Sequence, residues 1–270
     1  MNTLNAAPHN AVLITGASSG IGKALALACA KPGVGLHLSG RNAARLAEVA
    51  DACRQLGATV DDRVLNVCDA GAMAGWIAGA GHLDLVIANA GISAGSDDGK
   101  PESAAQVREV FAVNLDGALN TALPALTAMM AQAPDAAGVR GRIAIVASVA
   151  AFVPAPGAAT YCAAKAAIDR WTVATAHTAA QQGVLMTSVC PGYIRTAMTA
   201  GNRFPMPGLM DADRAAGIIL HAVAAGRRRV AFPWWVAGFA KLVGALPPRF
   251  STALLAKPAG KASLAGRTAD

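Results

Sequence analysis

The stretch "AVLITGASSGIG", residues 11–22, decides the fold because it joins a strand to a helix through a glycine-rich turn. The apolar run at 11–16 predicts a buried strand, and "GIGKALALACAK" at 20–31 predicts a helix. Gly16, Gly20 and Gly22 let the backbone turn tightly and approach an anion closely. Because the first N–H groups of a helix are free, the stretch predicts a loop that binds a pyrophosphate.

Strand and helix alternate along most of the remaining chain. Apolar runs predict further strands at 34–40, within 58–67, and at 83–91, 141–148, 184–192 and 229–233. Helices are predicted at about 42–56, 102–132, 158–182 and 211–225, with a short one after the third strand. Because these strands are apolar throughout rather than alternating, they suit a parallel sheet covered on both faces. The sequence therefore predicts a doubly wound, Rossmann-type α/β/α domain in three layers.

We expect a single domain at 11–232, preceded by a flexible N-terminus at 1–10. A helical extension is predicted at 233–257, followed by a disordered tail at 258–270. The composition fits a folded domain, since 54% of the residues are hydrophobic and only 14% are charged. The net charge of +7 favours anionic ligands or surfaces.

Several functional classes are excluded because the sequence lacks their motifs. Zinc-finger spacing, basic zippers and aromatic-plus-basic stacking motifs do not occur, so nucleic-acid binding is not expected. The histidines and the scattered cysteines show no metal-ligand spacing and no C-x-x-C, so we expect no metal site. Without a signal-peptide pattern, the expected location is the cytoplasm, with peripheral membrane contact as an option.

That option comes from the segment 227–257. Trp235, Phe239, Leu242 and Leu246 recur at helical spacing on one face, and basic residues surround them. The helix at about 234–246 is too short to span a bilayer. The apolar face either packs over the substrate pocket or at a subunit interface, or lies in a membrane interface.

The stretch "TYCAAK", residues 160–165, indicates proton-transfer chemistry. Tyr161 and Lys165 are four residues apart on a predicted helix, so their side chains share one face. A nearby ammonium stabilises a phenolate, and we expect Lys165 to lower the pKa of Tyr161 from its usual value of about 10. Alone, the pair would equally fit an ordinary helix surface.

Several motifs together make the chain resemble the classical short-chain dehydrogenases/reductases. "TGASSGIG" at 15–22 is followed about 140 residues later by Tyr-x-x-x-Lys. Between and after these motifs stand "IANAG" at 87–91, "VNLDG" at 113–117, "IVAS" at 145–148 and "CPGYIRT" at 190–196. They occur in family order and spacing, although Ala88 replaces the family's first Asn. The resemblance covers residues 11 to about 230.

The resemblance implies a role for each matching residue. Tyr161 is the general acid in reduction and the base in oxidation, and Ser148 binds the substrate oxygen. Lys165 also binds the nicotinamide ribose, and Asn114 holds a water that connects Lys165 to solvent. Tyr193 either forms a wall of the substrate pocket or packs the loop. The implied cofactor-binding positions are Gly16, Ser18, Ser19, Gly20, Ile21, Gly22, Arg41, Asn66, Val67, Asn89, Ala90, Gly91, Tyr161, Lys165, Pro191, Gly192, Ile194 and Thr196.

The end of the second strand, "HLSGRN", favours NADP(H) over NAD(H). Gly40 stands where NAD-preferring relatives have an acidic residue, and Arg41 follows with a guanidinium able to bind a 2′-phosphate. Arg41 would otherwise be a solvated arginine at a helix start. Ser19 departs from the basic residue that many NADP-dependent relatives have at that position.

The resulting prediction is an NADP(H)-dependent enzyme acting on a hydrophobic ketone or secondary alcohol, with 198–210 as the lid. An alternative substrate is a 3-oxoacyl chain on a carrier protein. The non-enzyme alternatives are an NADP(H)-binding regulator and a peripheral membrane scaffold. The resemblance also implies a homodimer or homotetramer formed through the helices at 102–132 and 158–182.

Overall fold

The computed structural model describes residues 9–96, 101–202 and 204–256. Residues 1–8 of the predicted flexible N-terminus and the whole predicted tail at 258–270 lie outside the described residues, as does Arg203 of the predicted lid. The N-terminal and tail assignments stay predictions.

A parallel seven-stranded sheet forms the centre of the protein. The strands are β1 (Ala11–Thr15), β2 (Gly35–Gly40), β3 (Thr59–Val64), β4 (Leu85–Ala88), β5 (Gly141–Val146), β6 (Val184–Pro191) and β9 (Arg229–Phe232). Their spatial order is β3-β2-β1-β4-β5-β6-β9, and every neighbouring pair is parallel. The predicted parallel sheet is therefore confirmed.

Helices cover both faces of this sheet. They are α1 (Gly20–Cys29), α2 (Ala43–Gln55), α3 (Ala70–Gly79), α4 (Ala104–Phe111), α5 (Gly117–Ala131), α6 (Ala159–Gln181) and α8 (Ala212–Ala224). Side chains of α1, α2 and α8 share one apolar core with Val12 and Ile14 of β1. The intervening Leu13 points into a second core, which is formed with α3, α5 and α6. The fold is the expected three-layer Rossmann arrangement.

The chain reverses the direction in which it adds strands between β1 and β4. From β1 it proceeds to β2 and β3 on one side, and from β4 to β5, β6 and β9 on the other. In doubly wound sheets the crevice beyond the carboxyl ends of the strands at this point is where ligands bind. The glycine-rich loop follows β1 directly, so it lies at this crevice.

The predicted helix at 102–132 contains an irregularity. A π-helical segment, Ala112–Asp116, separates α4 from α5. Apolar periodicity does not distinguish one wider turn from the α-helical turns on either side of it. Such segments are rare and often occur at functional sites, and this one carries Asn114.

The predicted lid folds as short elements. β7 (Ile194–Arg195) pairs in parallel with β8 (Met210–Asp211), and α7 (Ala197–Ala200) lies between them in the chain. Elements of two to four residues are too short to show a period in the sequence.

Two helices follow the sheet, α9 (Trp234–Gly244) and α10 (Pro248–Leu255). α9 packs inward with Val236, Ala237, Ala240 and Val243. The predicted apolar face points outward instead, with Trp235, Phe239, Leu242 and Leu246 exposed by 46%, 56%, 66% and 39%. The small side chains on the opposite face make most of the inward contacts of α9, while Phe239 also lines the pocket. The alternatives for the apolar face stay predictions. Within the described residues, no helix combines the length and apolarity needed to cross a bilayer.

Candidate active site

A cavity of about 1460 Å³ opens at the carboxyl edge of the sheet. It is lined by nearly every residue that the sequence predicted for the site: Gly16, Ser18, Ser19, Gly20, Ile21, Arg41, Asn66, Val67, Asn89, Ala90, Gly91, Asn114, Ser148, Tyr161, Lys165, Pro191, Gly192, Tyr193, Ile194 and Thr196. Gly22 is the predicted position that does not line it. Among the described residues, no cluster of three or more His, Cys, Asp or Glu side chains is arranged to hold a metal ion.

The glycine-rich loop is held against the start of the β4 loop. Gly16 has a φ of 67°, and a Cβ added there would lie 2.8 Å from Ala90 Cα, so only glycine fits without strain. The side-chain amide of Asn89 donates to the carbonyl oxygens of Thr15, at 3.0 Å, and Gly16, at 3.2 Å. Asn89 therefore fixes the loop shape from the neighbouring strand.

Gly22 acts behind this loop rather than in the cavity. A Cβ on Gly22 would lie 2.2 Å from the Gly16 carbonyl oxygen and 2.6 Å from Asn89 Nδ2. Only a glycine therefore lets α1 start this close to the loop.

We expect Gly22→Ala to destabilise the fold by about 1–3 kcal/mol, because the added methyl must displace backbone. The affinity for the cofactor should fall with it, since the loop must shift. Thermal unfolding and a titration with NADPH measure the two effects. Gly75→Ala in α3 is the matched control, because its Cβ would meet no atom within 4 Å. A Gly22→Ala protein with unchanged melting temperature would contradict the steric argument.

Asn114 connects the π-helical segment to the loop after β4. Its Nδ2 donates to the Ile92 carbonyl oxygen at 2.8 Å, and its Oδ1 accepts from the Ile92 N–H at 3.1 Å. A Cβ on Gly91 would lie 2.7 Å from Asn114 Oδ1 and 3.5 Å from Lys165 Nζ. The two side chains thus approach each other at Gly91, and the role of Asn114 in holding a water stays a prediction.

Lys165 is buried on α6, where it lies beside Tyr161. Only 4% of it is exposed, and its ammonium donates to the Val146 carbonyl oxygen at 2.8 Å. Its Nζ lies 5.9 Å from the centroid of the Tyr161 ring. The helix therefore places the phenol and the ammonium side by side in the cavity wall, while the end of β5 orients the ammonium.

The pKa of Tyr161 lies above its usual value, whereas we expected the ammonium of Lys165 to bring it below that value. Burial of the phenol raises the pKa of Tyr161 to about 12, and its hydrogen bond with Ser148 opposes this only in part. The cause is desolvation, which disfavours the charged phenolate. Tyr161 is therefore a protonated acid at neutral pH. Ser148 is itself oriented, because its Oγ also accepts from the Ala150 N–H at 3.1 Å.

Glu102 is a site residue that the sequence reasoning missed. Its Oε2 accepts hydrogen bonds from the Thr160 N–H and hydroxyl, at the first turn of α6. The carboxylate thus caps the helix that carries Tyr161 and complements its dipole. Glu102 also lines the cavity, with Oε1 buried and unpartnered among the described residues. Because it lies far from Thr160 in the chain, no local pattern reveals the contact.

Arg45 is a second missed residue, at the other end of the cavity. It lines the cavity together with Arg41, and its Nε is buried without a hydrogen-bond partner among the described residues. A Cβ on Gly40 would lie 3.0 Å from both Cβ and Oγ of Ser18. Arg41 and Arg45 therefore line the part of the cavity next to Gly40, where the close approach of Ser18 leaves little room for an acidic side chain at position 40. Arg41 precedes α2 and Arg45 lies in its first turn, so no helical spacing in the sequence indicated that the two side chains line the same cavity.

The opposite end of the cavity is apolar. The rings of Tyr193 and Phe204 pack edge to face, with centroids 6.0 Å apart. Burial raises the pKa of Tyr193 above its usual value. The remaining apolar wall is formed by Met198, Val236, Phe239, Ala240 and Leu255. Tyr193 thus both lines the cavity and packs the loop, and its contact with substrate stays a prediction.

Several known proteins are similar to this chain in sequence or in fold. An uncharacterized oxidoreductase from Myxococcus xanthus is 34% identical over 250 residues, covering 91% of this chain and 96% of that protein. The 11-beta-hydroxysteroid dehydrogenase A of Arachis hypogaea is 31% identical, covering 75% of this chain and 57% of that protein. A crystal structure of a short-chain type dehydrogenase/reductase from Mycobacterium marinum superposes with a TM-score of 0.71 at 26% identity. It covers 82% of this chain and 91% of that one.

The family comparison agrees with the geometry. The profile of the short chain dehydrogenases matches residues 10–205, which include the glycine-rich loop, the π-helical segment and the start of α6. This match extends over more than half of the chain and includes six of the seven strands of the sheet. The chain therefore belongs to the short-chain dehydrogenase/reductase family of NAD(P)-binding oxidoreductases.

Proposed function

We propose that the protein interconverts a hydrophobic ketone and the corresponding secondary alcohol, with NADP(H) as cofactor. The observation that carries the proposal is the meeting of Ser148, Tyr161 and Lys165 in the wall of one cavity. Ser148 lies two residues after β5, and Tyr161 and Lys165 lie on α6, so regular elements of the fold set their backbone positions. A protein that only bound a dinucleotide would need no buried acid beside it.

The residues of the chain supply proton transfer and orientation. In reduction, the Tyr161 hydroxyl donates its proton to the substrate oxygen as negative charge develops there. The Ser148 hydroxyl donates a hydrogen bond to the same oxygen and stabilises that charge. Lys165 is held by Val146 and favours the phenolate that forms. In oxidation the same groups act in the reverse order.

The cavity fits a phosphorylated dinucleotide at its polar end. The cofactor supplies or accepts the hydride, which no side chain of the chain can do. The loop at 15–22 would hold its pyrophosphate, and Lys165 would hold the ribose next to the nicotinamide. The Nε of Arg45 is buried without a partner among the described residues, and Arg41 and Gly40 line the cavity with it. These features support a 2′-phosphate bound next to Gly40.

We expect Arg41→Ala and Arg45→Ala each to raise the Kd for NADPH about 10- to 100-fold, because a charge-assisted hydrogen bond is lost. The Kd for NADH should hardly change, since NADH lacks the 2′-phosphate. Fluorescence titration measures both affinities. Arg63→Ala is the control, because Arg63 pairs with Asp61 on β3 and does not line the cavity. If NADPH and NADH lost affinity equally, the 2′-phosphate assignment would fail.

The apolar end of the cavity supports a hydrophobic substrate. A panel of aliphatic, cyclic and aromatic ketones, with a 3-oxoacyl thioester, tests the proposal by following NADPH absorbance. We expect turnover that rises with the apolar size of the ketone, because the rings of Tyr193 and Phe204 and the side chains of Met198, Val236 and Phe239 offer apolar surface to it. Selective turnover of the thioester would favour the carrier-protein alternative. If no carbonyl is reduced although NADPH raises the melting temperature, the regulator alternative replaces the proposal.

We also infer a homodimer or homotetramer, formed through the helices predicted at 102–132 and 158–182. Leu123 and Met130 on α5 support this, because they are exposed by 48% and 39% on one of those helices. Apolar side chains at such positions are typical of subunit contacts.

A further inference from the structure

The last two described helices expose a run of large apolar side chains that nothing in the described part of the protein covers. We call this surface the α9–α10 face. Its members are Trp234, Trp235, Phe239, Leu242, Leu246, Phe250 and Leu254. Trp234 is 82% exposed and Leu242 is 66% exposed, so these side chains are in water in the isolated chain. Single exposed apolar residues are common, but this many within about 20 residues indicate an interaction surface.

The charges around this face identify the kind of partner. Lys241 and Arg249 are exposed on the same two helices, and the Arg249 guanidinium lies 4.6 Å from the centroid of the Phe250 ring. No Asp or Glu occurs between Asp213 and Asp270. The segment therefore combines apolar and positively charged side chains without any acidic ones. That combination suits an anionic lipid interface, where negatively charged headgroups cover an apolar interior.

A second copy of the chain fits this face less well. In a symmetric dimer the same patch meets itself. Lys241 and Arg249 would then face the same segment of the other copy, which has basic residues but no carboxylate to pair with them, and like charges across an interface oppose association. The charge pattern thus favours lipid over self-association.

The helices are the right length to lie on a membrane and too short to cross one. α9 has 11 residues, which is about 16 Å of helix against a hydrocarbon core of about 30 Å. Its buried residues Val236 and Ala240 line the cavity, while Phe239 both lines the cavity and belongs to the exposed face. Leu255 and Ala256, at the end of α10, line it too. The apolar end of the cavity therefore opens beside the exposed face.

We propose that the α9–α10 face docks on an anionic lipid interface and places the apolar end of the cavity at that interface. Tryptophan suits this position, because its ring is apolar at one edge and polar at the other. The docking does not depend on the proposed reaction. It supplies a place from which an apolar substrate dissolved in lipid would reach the cavity.

The test is co-sedimentation of the full chain with phosphatidylcholine vesicles, with and without phosphatidylglycerol, at low and high salt. We expect binding to the anionic vesicles only, weakened by salt. The triple variant Trp234→Gln/Leu242→Gln/Phe250→Gln should bind about 10-fold more weakly or worse, because three apolar side chains no longer enter the lipid. Arg249→Gln should bind about fivefold more weakly, the loss expected for one basic residue near an anionic surface.

The matched control is Leu56→Gln/Val64→Gln, which removes apolar side chains exposed by 49% and 57% elsewhere on the surface. It should bind vesicles as the original chain does. None of the three residues in the triple variant lines the cavity, so NADPH-dependent turnover of a water-soluble carbonyl should be unchanged and shows that the variant is folded.

Absence of binding to anionic vesicles would overturn the proposal, as would a triple variant that binds as well as the original chain. Sedimentation velocity adds a further outcome against it. If the face mediates a dimer that the triple variant dissociates, and vesicles are not bound, the partner is a second copy. Because vesicle binding is measured without substrate, its failure is distinct from a failure to reduce carbonyls.

Discussion

Tyr161→Phe is expected to lower kcat about 10²- to 10⁴-fold, the usual contribution of a positioned general acid. The substitution removes one oxygen from a side chain that packs in the cavity wall, so the fold should not change. The affinity for NADPH should also be kept, since Lys165 and the glycine-rich loop remain. Steady-state turnover of a reducible ketone, compared with NADPH binding by fluorescence, separates the chemical step from binding.

Tyr193→Phe is the matched control, because Tyr193 and Tyr161 are the two tyrosines of the chain and both line the cavity. Tyr193→Phe should change KM more than kcat. If it lowers kcat as far as Tyr161→Phe does, or if Tyr161→Phe remains active, the proton donor has been assigned wrongly.

The pH dependence offers an independent check on the same residue. Burial raises the pKa of Tyr161 to about 12, so the hydroxyl is protonated at neutral pH and available for reduction. Oxidation needs the phenolate, so its rate should rise with pH in the alkaline range. The raised pKa also means that the folded state keeps a proton that the unfolded chain loses near pH 10. The contribution to stability is therefore complete below pH 10 and declines as the pH rises towards 12.

Arg229→Met is expected to lower the free energy of unfolding by about 3–5 kcal/mol, because it leaves a buried carboxylate without its cation. Asp169 on α6 is 1% exposed and accepts from Arg229 Nε at 2.8 Å and Nη2 at 2.7 Å. The same carboxylate accepts from the Ser188 hydroxyl at 2.7 Å. This pairing joins α6 to the last strand of the sheet, and urea unfolding followed by circular dichroism measures its loss.

Arg228→Met provides the comparison, since Arg228 is the neighbouring residue and is exposed. It should change stability by less than about 0.5 kcal/mol. The double variant Asp169→Leu/Arg229→Met should recover much of the loss, because the buried carboxylate is then absent together with its cation. Equal effects of Arg228→Met and Arg229→Met would show that the buried pair is not what stabilises this edge.

Sequence reasoning predicted the sheet and most of the cavity because both depend on short-range patterns. Continuous apolar runs mark buried parallel strands, and the carboxyl ends of such strands meet at one edge. Residues placed directly after strands, such as Gly16 and Asn89, or shortly after one, as Ser148 is, therefore had to converge. The resemblance then supplied their roles, which the fold alone does not give.

What the sequence did not reveal depends on contacts between distant residues. Glu102 reaches the start of α6 from a separate part of the chain, and the buried Nε of Arg45 depends on the packing of α2. The raised pKa of Tyr161 likewise depends on burial, which the four-residue spacing to Lys165 does not show. The sequence left the direction of Phe239 and Leu242 open, because it does not show that small residues on the opposite side of α9 make most of the packing contacts.

The π-helical segment places a constraint on chain length as well as on residue identity. Successive residues of an α-helix are rotated by about 100° about the helix axis. Deleting one residue from 112–116 would therefore restore regular α-helical winding and rotate the residues before the deletion relative to those after it. Asn114 would then turn away from Ile92, although every flanking side chain remained the same. A deletion of one residue here should therefore disrupt the site even if Asn114 and the residues that it contacts are kept.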